Sequence, residues 1–515
     1  VKLERIKKLS LKTYAIALII AFFVGLVLGG AIVYSQSSNE NITIVSGSFT
    51  ETASYIIFKV GDTIYAKNGT TGEIEFSGTD ASQVIQSAIN ALSNGGKIFF
   101  KRGTYEISSS ILAKSNIEIV GEGEGTILKM QDNANLIFGI IKIYYERSNV
   151  KIRNLVLDGN KAGQTDESYC IAIRRSSNIL IESCTLKNAY TAAIRFYTAS
   201  GETKNNKIII RNNIFEDNNC DIYDDTYGSE DVVVIGNIFS GADEYSIRIF
   251  NSDRWIVAKN RFILKNEGVE FVTSGAMNQI IGNTFVWSEN PPTYARAILL
   301  GAEASADKFT EKFIVSDNVI DGTGTTAELC GIYMHGYNGQ PTVRDGTITG
   351  NVIINMTYGI VATYPSHIDI ISNTIKDCDK GIRLVSCSYN KICDNIIVEC
   401  ETGVSEESLS DHNVIESNYI INSTTAIVKV GANTEVRRNK GYITENSGTA
   451  TISAGSTSVT VNHGLAGTPT VITVTPSADI GDVWVDSVTS TSFTIHCETA
   501  PSSDVTVYWY AEYKP

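Results

Sequence analysis

Gly381-Ile-Arg-Leu-Val-Ser-Cys-Ser-Tyr-Asn-Lys-Ile-Cys-Asp-Asn-Ile396 sets two short β-branched segments in series and ends on an Asn followed by apolar residues. The same phrase returns at regular distance along the chain. Its Asn-x-apolar end recurs as Asn213-Ile-Phe, Asn237-Ile-Phe, Asn260-Arg-Phe, Asn283-Thr-Phe, Asn318-Val-Ile, Asn351-Val-Ile, Asn373-Thr-Ile, Asn395-Ile-Ile and Asn418-Tyr-Ile. It begins at Asn154-Leu-Val, with Cys184-Thr-Leu in the next slot, and fades at Asn439-Lys-Gly. Spacings are 24, 23 and 23 residues from Asn213 to Asn283, and 22, 22, 23 and 21 from Asn351 to Asn439. A fixed period of this length is the signature of a solenoid, in which each repeat buries its apolar side chains only against its neighbours. Strand stacking at about 4.8 Å then lines Ile, Val and Phe into one continuous core. The reading is an all-β, right-handed single-stranded parallel β-helix of about 12 coils.

Longer spacings of 30, 29, 35 and 33 are the same coil with insertions, at 161–168, 199–205, 288–294, 302–308 and 322–328. Such insertions fall in turns and are where solenoids build binding faces. A second strand opens with a small residue and an aliphatic one, as in Ala193-Ile194-Arg195, Gly268-Val269-Glu270, Gly331-Ile332-Tyr333 and Gly359-Ile360-Val361. The Asn column is expected to be structural, in left-handed turn geometry and with amides bonded along the stack.

The flanks differ in texture. Residues 1–12 carry Lys2, Arg5, Lys7, Lys8 and Lys12, and residues 13–34 are uncharged and long enough to cross a bilayer. This pattern reads as a retained signal anchor, single-pass in the cell membrane, with the N-terminus cytoplasmic and the bulk of the chain extracellular. A linker at 35–50 and a β-rich segment at 51–78 precede the solenoid, assigned to 79–445. At its start, 80–92 has helical apolar spacing with Asp80 as N-cap and a Ser93-Asn94-Gly95-Gly96 stop, which suits a plug over the open end. From 446 to 515 alternating strands between Gly, Pro and Ser turns predict a small antiparallel β-sandwich, through which copies of the chain could associate as a homo-oligomer. His463 reads there as a turn residue.

The formal charge of −14, from 56 acidic and 42 basic residues, argues against binding a nucleic-acid backbone. The nine cysteines have no paired CxxC spacing, and they suit stacked buried thiols slightly better than disulfides.

The run from Asp80 through Gly103-Thr104-Tyr105 to Gly121-Glu122-Gly123 resembles the start of pectate-lyase-like (pectin-lyase-fold) β-helix proteins. The stretch 381–396 is similar to their generic parallel β-helix repeat. This resemblance implies the fold over Thr79 to Tyr442. For function it implies only a range, from lyases, polygalacturonases and epimerases to tailspikes and non-catalytic surface proteins. The polygalacturonase Gly-His-Gly and Arg-Ile-Lys signatures and the lyase Arg-x-x-x-Pro base motif are absent.

Taking the residue after the inward Ile or Val of each second strand gives Arg174, Arg195, Tyr223, Arg248 and Glu270 on consecutive coils, with Tyr197 and Asp225 beside them. This column is the expected glycan-binding face. Arginine forks suit uronate or sulfate groups, and aromatic faces suit sugar rings, so the expected partner is an acidic polysaccharide. If the chain cuts its ligand as a lyase or glycosidase, Arg195, Arg248, Asp224 and Asp225 are the candidate catalytic residues. Asp221, Asp224 and Asp225 are the candidate Ca²⁺ site, and no other cofactor is expected. His335 reads as an isolated loop histidine. The third reading is a non-catalytic stalk or adhesin.

Overall fold

The computed structural model describes residues 53–224, 227–272, 274–288, 291, 294–301 and 309–515. The anchor, its basic flank and the whole linker lie outside the described residues, as does Asp225. No helix among the described residues is long and apolar enough to cross a membrane.

Each coil contributes strands to three parallel sheets. The first runs from Gly96–Phe100 to Glu435–Arg437, and the second from Gly103–Ile107 to Tyr419–Ile421. The third runs from Ile111–Leu112 to Thr425–Val428, and the second and third hold 13 strands each. An antiparallel hairpin, Tyr55–Val60 with Thr63–Asn68, joins the first sheet by pairing parallel to Gly96–Phe100. The helix Ala81–Ala91 is capped by Asp80, whose carboxylate accepts from the N–H of Ser82 and Gln83. It buries Val84, Ile85, Ala88 and Ile89 in the first coils' core. The helix ends at Leu92, and Gly95 turns the chain beyond it at φ +87°, where a Cβ would stand 2.2 Å from the Asn116 carbonyl oxygen.

In the second sheet Phe215, Phe239, Phe262 and Phe285 stack with ring centroids 4.6, 4.7 and 4.5 Å apart, so the apolar residue of the Asn-x-apolar phrase faces inward. The Asn before it is buried from Asn213 to Asn439. Each Nδ2 donates to the Oδ1 of the next coil's Asn and to a main-chain carbonyl, and each Oδ1 also accepts the preceding coil's Asn N–H. The ladder differs from expectation in one respect. The left-handed residue is the one before each Asn, taken by Asn212, Gly236, Lys259, Gly282, Asp317, Gly350, Ser372, Asp394, Ser417 and Arg438. The ladder Asn is therefore free to turn its amide inward. Asn154 has φ 57° and belongs to that outer column, because Val156 pairs with Thr185 and so Leu155 fills the ladder slot.

The small residue opening each third-sheet strand is explained by close approach between coils. A Cβ on Gly359 would lie 2.5 Å from the Gly381 carbonyl oxygen, and one on Gly381 would lie 2.7 Å from that of Gly403. At the last coils Glu406 occupies an inward position, fully buried. Its carboxylate accepts from Asn413 Nδ2, Thr434 Oγ1 and the N–H groups of Val430 and Gly431, which satisfies a charge that apolar surroundings would otherwise reject. Beyond the solenoid, Glu445–Ile452, Val505–Glu512 and Val471–Pro476 form one antiparallel sheet, and Ser458–Asn462, Ser492–Cys497 and Val483–Asp486 another. They share a separate core that includes Ile452, Phe493, Ile495 and Val507. His463 is buried at a turn, its Nδ1 accepting from Leu465 N–H.

Candidate functional site

The outer face of the third sheet carries most of the expected binding residues. Inward Ile194, Ile222, Ile247, Val269, Ile298 and Ile332 align coil on coil, and the residue after each forms the column Arg195, Tyr223, Arg248, Glu270, Leu299, Tyr333. Arg174 is not its first member: Ala172 pairs with Arg195, and Arg174 pairs with Tyr197 and Tyr144 two residues along the strand. Strand Tyr169–Arg174 presents two buried isoleucines, Ile171 and Ile173, and alternation alone does not say which one is in register.

Arginines and rings alternate along this face. The Arg174 guanidinium lies 4.7 Å from the Tyr197 ring centroid, and that of Arg195 lies 4.9 Å from Tyr169 and 5.0 Å from Tyr197. Arg248 sits 4.4 Å from Tyr245 and 5.2 Å from Phe250, and Arg296 sits 5.9 Å from Tyr294 and 5.8 Å from Tyr333. At the N-terminal end Lys142 is enclosed by Phe138, Tyr144 and Tyr145. Towards the C-terminal end Arg383 lies 5.3 Å from Tyr358.

Every one of these arginines also meets a carboxylate. Arg174 is bidentate to Glu202 at 2.9 and 2.5 Å, and Arg195 is 3.8 Å from Glu167. Arg248 is 3.5 Å from Glu270, which is also 3.6 Å from Arg296, and Arg296 meets Glu267 at 2.9 Å. Arg383 and Lys380 share Glu407 at 2.9 and 2.6 Å. Burial raises the Glu267 carboxyl against the opposing pull of Arg296. Burial would raise Glu407 too, but hydrogen bonds from Arg383, Lys380 and Ser405 outweigh it and hold its pKa at about 2.

A pocket of about 230 Å³ opens where Arg248, Glu270, Arg296, Tyr245, Tyr333 and His335 meet. His335 ends the strand Leu329–His335, with its ring 5.5 Å from that of Tyr333 and 6.4 Å from that of Tyr364. Burial and the nearby Arg296 push its pKa below the ordinary histidine value, which favours a neutral imidazole. The histidine expected to stand apart thus shares a pocket with the column residues Arg248, Glu270, Leu299 and Tyr333. Arg296 and Glu267 escaped the alternation argument because they share parity with inward Ile298 and Val269. Strict alternation breaks between them, at the small residues Ala297 and Gly268.

The described acidic candidates, Asp221 and Asp224, do not join this face. Asp224 is buried, its Oδ2 accepting from the hydroxyls of Ser229 and Ser252 at 2.5 and 2.6 Å. Asp221 is buried with Oδ1 on Asn218 Nδ2, and burial raises its pKa well above the carboxylate range. Of the four residues proposed for catalysis, Arg195 and Arg248 face outward and Asp224 faces in, so these three do not share one cleft. Asp221 and Asp224 are not arranged as Ca²⁺ ligands, and no group of three or more His, Cys, Asp or Glu side chains among the described residues could hold a metal ion.

Two family models cover successive stretches of the chain, overlapping at 302–307. The right-handed beta helix region matches residues 138–307, and the periplasmic copper-binding protein (NosD) family matches residues 302–463. The tailspike protein of E. coli bacteriophage HK620, solved in complex with a pentasaccharide, matches over 84% of this chain and 90% of that one, at 13% identity and TM-score 0.54. The chain is a right-handed parallel β-helix protein. Its pectate-lyase-like fold accommodates these neighbours despite their low identity. A 102-residue segment of the β-helix protein is 32% identical to mannuronan C5-epimerase AlgE6 of Azotobacter vinelandii, spanning 17% of this chain and 12% of that protein. The A-module of the related epimerase AlgE4 covers 69% of this chain and 95% of its own at TM-score 0.41.

Copper, named in the second family's description, does not fit the described residues. In 302–463 the imidazoles of His367 and His412 are separated by the Tyr389 ring, with centroids 5.6 and 5.0 Å away. The cysteines are buried and unbridged, and burial pushes the thiols of Cys330 and Cys387 up to about 12.

Proposed function

We propose that the outer face of the third sheet binds a polysaccharide laid along the solenoid axis. The observation that carries this reading is the succession of guanidiniums from Arg174 to Arg296, each held against at least one aromatic ring. Rings and paired arginines locked by their neighbours form a rigid, amphipathic track that loses little side-chain entropy when a ligand is ordered on it. The HK620 tailspike's pentasaccharide and the AlgE6 name support a glycan as the class of partner.

The test is affinity electrophoresis of the chain through gels cast with a panel of polysaccharides. Retardation by at least one glycan, lost in Arg195→Ala and Tyr333→Ala, is the expected result, and migration unchanged by every glycan would sink the reading. A second reading, cleavage in the pocket, is favoured by His335, whose imidazole is held neutral beside Tyr333 and two arginines and could accept a proton. New unsaturated or reducing ends that disappear in His335→Gln would establish it.

We also propose that residues 13–34 tether the solenoid to the outer side of a membrane, supported by the basic flank on the cytoplasmic side of the uncharged run. The module 446–515 is the segment through which copies would associate. Its deletion should then convert an oligomer to a monomer in light scattering.

A further inference from the structure

We infer that the sugar taken at the Arg248–Glu270–Arg296 pocket is uncharged, so that the face selects neutral glycan over polyuronate. This rests on the glycan-binding reading above and narrows its ligand class, against the acidic partner that the arginines suggest in sequence.

Charge balance carries the argument. Among the described residues the face presents four guanidiniums from Arg174 to Arg296, and each stands against a carboxylate, Glu202, Glu167, Glu270 or Glu267. Glu270 lines the pocket with side-chain exposure of 3%, and Glu267, paired with the pocket's Arg296, is 7% exposed. A uronate carboxylate entering there would be the third anion on two cations, in surroundings that screen poorly. Displacing Glu270 or Glu267 to make room would leave a buried carboxylate without its partner, an arrangement that strongly disfavours binding. A neutral ring meets no such penalty, because it leaves both ion pairs in place while its apolar face lies on Tyr245 or Tyr333.

Size and global charge agree with this. A pocket of about 230 Å³ has room for one ring rather than several. The chain's net charge of −14 repels a polyanion approaching from a distance. The guanidiniums therefore act as flat, charge-compensated platforms between aromatic rings.

The experiment compares backbones that differ only in charge: polygalacturonate with its fully methyl-esterified form, and alginate with its propylene glycol ester, alongside mannan and cellulose oligosaccharides. Binding of the full chain is measured by titration calorimetry at low and high salt. Neutral ligands should bind at least ~10-fold tighter than their acidic counterparts, with affinity insensitive to salt. Glu270→Gln, which leaves two guanidiniums facing one carboxylate, should narrow that preference while the melting temperature shows the coil intact. Tighter binding of the acidic member of a pair, weakened by salt, would overturn the inference and leave glycan binding standing. Binding to no member of the panel would overturn both.

Discussion

Asn351 stands over Asn373 and donates its Nδ2 to the Asn373 side-chain oxygen at 2.9 Å, while its own Oδ1 accepts from both the N–H and the Nδ2 of Asn318. One side chain thus closes hydrogen bonds with the coil on either side.

Asn351→Ala removes acceptors from two buried Asn318 donors and a donor from the Val315 carbonyl. With a cost of ~1–3 kcal/mol for each orphaned buried group, the variant should lose roughly 3 kcal/mol or more. The check is the guanidinium chloride midpoint, which should fall with little change in slope. An unchanged midpoint would mean that water replaces the amide and that the ladder is dispensable.

The pH dependence of stability should show Glu407. Its carboxyl is held at about 2 from an ordinary 4.5, so it binds protons more readily in the unfolded chain than in the fold. Its stabilising contribution is present above pH about 4.5 and is lost as pH falls towards 2. Thermal melts across that window should show wild type losing more stability than Glu407→Gln. Equal losses would place the acid-sensitive groups elsewhere.

The solenoid was legible in sequence because its period repeats many times, so that insertions at 161–168 or 302–308 could not hide it. The face was legible in part. Arg195, Tyr223, Arg248 and Glu270 follow from alternation, whereas Arg174 slipped by two because Ile171 and Ile173 are equally apolar. Glu202, Glu267 and Arg296 were invisible, since ion pairs between coils depend on side-chain reach rather than on strand period. Asp221 and Asp224 misled for the opposite reason. A carboxylate is ordinarily an exposed group, and here donors such as Asn218, Ser229 and Ser252 receive these two inside.

All nine cysteines are buried and unpaired. In the folded chain they should resist alkylation by iodoacetamide, and in denaturant each should react, as read by intact mass. Labelling of the native protein at Cys387 or Cys330 would show that the coils open locally.

Phe262 lies between Phe239 and Phe285, parallel to both within 4° and fully buried. Phe262→Ala opens a cavity in the middle of a stack whose two neighbours are held apart by their own coils' main-chain pairing, so collapse of the site is limited. The expected loss is ~3–5 kcal/mol. Phe262→Leu keeps most of the volume and should recover more than half of it. Because coils interact only with neighbours, the lesion should be local, and hydrogen exchange should quicken first in the strands around Arg261–Leu264 while the C-terminal sheets keep their protection. Uniform acceleration across the chain would instead show that the solenoid and the C-terminal sheets unfold as one cooperative unit.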